Sequence, residues 1–321
     1  MEYDVIGDIH GQAGKLDAML QKLGYVAKGG GWTPPHGKQA IFLGDLIDRG
    51  PEQIKVVDTV RHMIDAGHAR CVMGNHEYNA IGFTLERHGE PGEYLRRHSD
   101  KNLAQHKDFL EQVGLGSAKH RELIVWFRTL PPFLDLGGIR VVHAWWHQPY
   151  IDLVGGQLSD SRPMSNDFLY NAYDKSSAEY LAMEGLTKGL EVTLPSGHSF
   201  QDHGGNVRRE VRTRWWHEFP RTYQDVAFVP EGQEASVPNH ALPIGYMGQP
   251  VEGPPVFIGH YWMTGAPQIQ ASRVVCVDYS AAKDGPLVCY RWNGEPELDV
   301  RNFVEAGQRK KVGFLCLTLF L

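Results

Sequence analysis

Five short apolar runs, each with glycine or a polar residue at its C-terminal end, limit what this chain can fold into. They read YDVIGDIH, QAIFLGDLID, ARCVMGNHE, GIRVVHAWW and PPVFIGHYW. Rich in Val, Ile and Phe, they predict buried strands. Two helical patterns separate the first three. In GQAGKLDAMLQKLG, Leu16, Met19, Leu20 and Leu23 share one face and Gly24 stops the helix. In PEQIKVVDTVRHMIDAG, Pro51 opens the helix, Ile54, Val57, Val60 and Ile64 line it, and Gly67 closes it. Strands alternating with helices predict right-handed crossovers and a parallel arrangement in this half.

The rest of the chain reads differently. Residues 80–130 look helical and polar, with NLAQHKDFLEQVG the clearest piece. Residues 150–250 are rich in Gly, Pro, Asn and His with little periodicity, which predicts an inserted cap or lid with long loops. SRVVCVDYS and GPLVCYRWNG then resemble an antiparallel pair closing the core. A chain of 321 residues suffices for one large α/β domain or two smaller ones. The expectation is one domain over residues 1–300, with its core at 1–147 and 251–300, the cap at about 150–250, and a tail at 301–321. The apolar end of that tail, GFLCLTLFL, is about half a membrane span, so no span is expected. The first strand starts at residue 2, leaving no room for a signal peptide. Cys71, Cys276, Cys289 and Cys316 form no CxxC pair and predict buried free thiols in a reducing, cytoplasmic compartment. A net charge of -6 and a pI near 6.2 argue against a nucleic acid as stable partner.

The strand ends carry the chemistry. The first run delivers Asp8 and His10, the second Asp45, Asp48 and Arg49, and the third Asn75, His76 and Glu77; later runs add His143 and His260. Open α/β sheets bind ligands at the carboxyl ends of their strands, so these donors would meet at one edge. Asp, His and Asn suit divalent ions such as Mn, Fe or Zn. An Asp between two ions about 3.5–4 Å apart can bridge them, and such a pair can hold a hydroxide and clamp a phosphate.

GDIHG, GDLIDRG, GNHE, VVHA and IGH, in that order, resemble the calcineurin-like metallophosphoesterases. The DRG element and WFRTLPPFLDLGGIRVVHA are similar to the phosphoprotein phosphatase branch, with its bacterial Ser/Thr phosphatases and symmetrical dinucleoside tetraphosphatases. The resemblance covers residues 1–82, about 121–147 and about 254–293, but not 150–250. It implies a four-layer α/β/β/α sandwich and two divalent ions, Mn first, with Fe, Zn, Ni or Mg as alternatives. It also implies that Asp8, His10 and Asp45 bind one metal and Asp45, Asn75, His143 and His260 the other, with Asp45 as bridge. His76 would protonate the leaving oxygen, Asp48 would orient that imidazole, and Arg49, with Asn75, would hold substrate phosphate. The implied nucleophile is a hydroxide on the metals.

Several positions depart from the pattern or have rivals. Trp262 stands where many phosphodiesterases of the superfamily carry a further histidine, and Trp145 where glycine is usual. A second phosphate-binding arginine has no clear counterpart; Arg208, Arg209, Arg212 and Arg214 are candidates. His198 also follows a glycine and rivals His260, although it sits, like His203 and His217, in loop-like sequence. The aromatics of TRWWHEF could stack on a nucleobase or form a small satellite core. The favoured function is a Ser/Thr protein phosphatase-like phosphomonoesterase, and the alternative a dinucleoside polyphosphate or other nucleotide hydrolase. The substrate partner is therefore a phosphoprotein or a nucleotide. A silent binding protein would lack a ligand or acid position, and none is missing; the net charge and Arg49 oppose a nuclease.

Overall fold

The computed structural model describes residues 1–158, 163–202 and 204–307. The N-terminal third alternates as expected. β1 (Glu2–Ile6) leads to α1 (Ala13–Lys22); a hairpin of β2 (Val26–Lys28) and β3 (Gly31–Thr33) precedes β4 (Lys38–Phe42). α2 (Gln53–Asp65), β5 (Ala69–Cys71) and α3 (Asn75–Thr84) follow. β1, β4 and β5 are parallel neighbours. α2 buries Val56, Val57, Val60 and Met63, whereas Ile54 and Ile64 of the expected stripe are only half-buried.

Residues 85–130 are not helical throughout. A hairpin of β6 (Glu86–Arg87) and β7 (Glu90–Tyr94) comes before α4 (Asp100–Val113) and α5 (Ala118–Phe127). The chain then enters a second sheet through β8 (Phe133–Asp135) and β9 (Arg140–Val142). The region expected to be long loops starts instead with three helices, α6 (Gln148–Gly155), α7 (Asn166–Tyr173) and α8 (Ala178–Lys188). Ser165 and Ser177 cap the last two through their side chains. Phe168, Leu169, Met183 and Leu186 join the main core, so these helices belong to the body. Only the later part is a small unit of its own. It comprises β10 (Glu191–Thr193), β11 (Phe200–Gln201), β12 (Val207–Arg208), β13 (Glu210–Thr213), α9 (Tyr223–Val226) and β14 (Ala227–Phe228), with a separate cluster around Val192, Phe200, Val211 and Tyr223.

β15 (Val256–Ile258), β16 (Ile269–Ala271) and β17 (Val274–Cys276) complete the second sheet; β18 (Leu287–Trp292) and β19 (Phe303–Ala306) return to the first. The strand orders are β19-β18-β1-β4-β5 and β16-β17-β15-β9-β8. The expected antiparallel pair is therefore corrected: β17 pairs with β15 and β16, while β18 pairs with β1 and β19 in the other sheet. Both strands are buried apolar runs, and nothing local records that the ten residues between them cross from one sheet to the other. β19 also carries the folded body past residue 300, into the segment expected as tail. The stretch GFLCLTLFL, with Cys316, lies outside the described residues.

Strand periodicity sorts the side chains between two cores. Val5, Ile41 and Val288 of the first sheet meet Val141, Phe257 and Val275 of the second in one buried cluster between the sheets. Ile6, Phe42 and Cys71 join the cluster that contains Leu16 and Leu20 of α1 and Val57 of α2. Cys71, Cys276 and Cys289 are buried free thiols. Among the described residues no helix is long and apolar enough to cross a membrane.

Candidate active site

Tight loops after the strands of both sheets converge at one edge. Gly44 and Gly74 let two of them touch: a Cβ on Gly44 would lie 2.2 Å from the Gly74 nitrogen, and one on Gly74 2.3 Å from the Asp45 nitrogen. Five non-glycine residues here take left-handed backbone, His10, Asp45, Asp48, Arg49 and His260, with φ between 48° and 73°. Such strain is uncommon outside glycine and concentrates at functional sites. Glu77 stabilises the turns from below. Its buried carboxylate accepts from the backbone nitrogens of Asp45 (2.8 Å), Leu46 (2.8 Å) and Gly74 (3.1 Å).

Every residue expected at the site is brought to this edge; all are buried except His260, which is half-buried, and Arg49, which is exposed. The donors form two groups sharing Asp45, namely His10, Asp45 and His76, and Asp45, His143 and His260; within each, ligand atoms lie within 4.8 Å of one another. Asp8 and Asn75 stand beside these groups. Asp8 Oδ2 accepts from the His260 nitrogen (3.0 Å), and Asn75 Oδ1 lies 3.2 Å from His143 Nε2. His10 and His143 donate from Nδ1 to the carbonyls of Ile47 (2.8 Å) and Leu43 (2.6 Å), which leaves each Nε2 facing Asp45 at 3.5 and 3.4 Å. This is the arrangement that fixes a histidine for metal ligation.

The electrostatics of this edge suit a cation. Burial, with the neighbouring Asp278 carboxylate, drives Asp8 well above the usual range. Burial alone would raise Asp45 too, but His143 and His76 hold it well below its ordinary value. Burial opposes charge on His143, yet Asp45 and Asp8 lift it to about 10. Burial, with Arg49 and His76 nearby, lowers His10 to about 3, so it presents a lone pair. Asp8 Oδ1 and His260 Nε2 are buried and make no hydrogen bond, an expensive state that a cation would relieve. Arg49 donates from Nη1 to His10 Nε2 (3.1 Å) and from Nη2 to His76 Nε2 (3.3 Å), supplying positive charge among the same lone pairs. The donor set thus fits divalent cations.

Asp48 holds two imidazoles. His76 Nδ1 donates to its Oδ2 (2.5 Å) and His106 Nδ1 to its Oδ1 (2.8 Å). Burial raises the Asp48 carboxyl, but the bonds from His106 and His76 override this and hold it well below the carboxylate range.

The cleft over these groups has a volume of about 340 Å³. Among the other residues that line it, Asp278, Arg96, His106 and Asn79 were not singled out from the sequence. Asp278 had a signal, since it ends the apolar run VVCVD as other acids end theirs. His106 and Arg96 had none, because a lone His on α4 and an Arg after a hairpin look like surface. Of the four candidate arginines, Arg212 lines this cleft; its Nη1 reaches the His260 carbonyl at 3.5 Å. Arg208 lines only the adjoining lobe, and Arg209 and Arg214 are exposed. His198 and His217 line neither cavity, and His203 lies outside the described residues. Trp215 and Trp216 belong to the main core, with Trp215 donating to the Ala144 carbonyl (3.0 Å), so they form no satellite, and neither lines this cleft or its adjoining lobe.

The family model for calcineurin-like phosphoesterases matches residues 1–202. The asymmetrical bis(5'-nucleosyl)-tetraphosphatase PrpE of Oceanobacillus iheyensis is 31% identical over 144 residues, 45% of this chain and 55% of that protein. The matched stretch is thus only about half of that relative's length. PrpE of Geobacillus thermodenitrificans is 30% identical over 52% of this chain and 73% of its own. A solved Saccharomyces cerevisiae protein serine/threonine phosphatase is 15% identical with a TM-score of 0.46, covering 95% of this chain and 78% of that one. The two relatives' names carry the nucleotide activity, which the sequence analysis places second, and asymmetrical cleavage where the resemblance implied symmetrical.

Proposed function

Because the chain belongs to the calcineurin-like phosphoesterase family, with its α/β fold and its metal-dependent phosphoester hydrolysis, we propose that it hydrolyses dinucleoside polyphosphates, cutting diadenosine tetraphosphate asymmetrically. The names of the relatives support that substrate. The observation that carries the reading is a pair of buried donor groups sharing Asp45, opening onto a cleft bordered by Arg49 and Arg212.

In this reading Asp8, His10 and Asp45 hold one divalent ion, and Asp45, Asn75, His143 and His260 the other, with Mn the first choice. When bound, such ions acidify water and neutralise phosphate charge. The chain's own groups do the rest. Arg49 and Arg212 grip phosphate oxygens, and Asn75 adds a side-chain amide. The leaving oxygen takes its proton from His76 Nε2, while Asp48 fixes the ring through Nδ1 and stabilises its charged form. The buried unpaired thiols support a reducing, cytoplasmic setting. The small β10–β14 unit, inserted between the parts of the core, borders the cleft as a cap.

The test is turnover of diadenosine tetraphosphate, a phosphoserine peptide and para-nitrophenyl phosphate by Mn-loaded protein. Conversion of the dinucleotide to ATP and AMP is expected. Turnover of the peptide without the dinucleotide would overturn the reading, and two ADP molecules as product would overturn the asymmetry.

A further inference from the structure

The cleft does not end at the donor groups. A second lobe of about 440 Å³ shares His10, Arg49, Gln105, Arg212, Trp262 and Asp278 with the first. Beyond that border the wall changes character. Phe200, Phe228 and Pro230 line it, with Lys101, Arg208 and Lys283. The rings are held in place by one another. Phe228 packs 4.5 Å from Trp262 and 5.3 Å from Tyr261, and the guanidinium of Arg212 sits 5.7 Å from the Tyr261 ring. A preformed aromatic wall loses little entropy when a ligand covers it.

We propose that this second lobe is a nucleoside site, in which the Phe228–Trp262 wall receives the base of a substrate whose phosphates run along Arg49 and Arg212 towards the donor groups. The inference rests on the nucleotide reading and assigns residues to it. Two features favour a nucleotide over a peptide. The cations at the border, followed by Arg208 and Lys283, extend beyond one phosphate, as a polyphosphate chain requires. Glu191, Asp202 and Glu210 also line the lobe; they offer acceptors for the hydroxyl and amino donors of a nucleoside. The tryptophan at position 262, which replaces a possible histidine ligand, thereby acquires a use: it belongs to the wall shared by both lobes. Phe228, on the last strand of the small sheet, could not be singled out from sequence, since it is one phenylalanine in a region without periodicity.

The experiment uses non-hydrolysable inhibitors of para-nitrophenyl phosphate turnover in excess Mn. The readout is the ratio of inhibition constants for methylenebisphosphonate and α,β-methylene-ADP, which share a bridging diphosphonate and differ by the nucleoside. The wild-type protein should favour the nucleotide by about fivefold or more, the lower end of what one base–aromatic stack contributes. Phe228→Ala should bring the ratio towards one. Phe228→Leu, which keeps apolar volume against Tyr261, should reduce it as well and guards against a folding defect. Equal inhibition of the wild type by both compounds would overturn the proposal, as would a ratio unchanged in both variants. Tighter inhibition by a phosphonate peptide than by the nucleotide would assign the lobe to a peptide and also overturn it. A protein that shows the nucleotide preference but leaves diadenosine tetraphosphate intact would retain the pocket and lose the proposed reaction.

Discussion

Asp48→Asn tests the acid dyad with little change of shape. Asp48 sits at φ 68°, a backbone that asparagine tolerates, so the substitution adds no new strain. It accepts from His76 Nδ1 at 2.5 Å and His106 Nδ1 at 2.8 Å, and both rings are buried. An amide has one oxygen to offer in place of two, so a buried imidazole must face an NH₂. Losing one charge-assisted bond costs about 1.5–3 kcal/mol. At about 1.36 kcal/mol per decade, that is roughly 13- to 160-fold in kcat. The loss should appear with a poor leaving group, such as an alkyl phosphate, and be much smaller with para-nitrophenyl phosphate, whose leaving group needs no proton. Metal content, read by elemental analysis, should stay at the wild-type level. Equal losses on both substrates, or full turnover on the poor one, would refute the acid role of His76.

Three further outcomes are expected. Mn should raise the thermal midpoint, because it pairs with the buried carboxylates of Asp8 and Asp45; at 100 times its dissociation constant it adds about 2.7 kcal/mol per site, and a midpoint unmoved by Mn or chelator would contradict the ion-binding assignment. Gly259→Ala places a Cβ 2.1 Å from Asp8 Oδ1, so metal affinity measured by calorimetry should fall about tenfold or more, and wild-type affinity would show that Asp8 is not a ligand. Burial lowers His120 from 6.5 to about 4. The unfolded chain therefore binds a proton first, and stability should decline as pH drops from about 6.5 towards 4. In His120→Gln that part of the acid dependence should vanish from denaturant titrations, and an identical pH profile would exclude it.

The residues expected at the centre were legible because they sit within a few positions of strand ends. GDIHG, GDLIDRG and GNHE each compress a buried strand, a turn that needs glycine, and one to three donors into a short stretch. Local chemistry forces that compression: only glycine at positions 44 and 74 lets two such turns touch. Asp278 obeyed the same rule and was within reach of the same reading. His106, Arg96 and Phe228 were not, because each reaches the cleft only when an element remote in sequence is laid beside it.

Local patterns were enough to set the parallel β1–β4–β5 unit, the helices between its strands, and the chemical type of the donors, because periodicity and turn residues act over a few positions. Long-range packing is what parts β17 and β18 into different sheets, puts α7 and α8 on the core, gives Asp48 a second histidine, and brings Arg212 rather than its neighbours to the cleft. Those outcomes depend on which buried faces find each other across long stretches of chain. Burial is settled by the whole packed assembly, and no short window of residues records its partner.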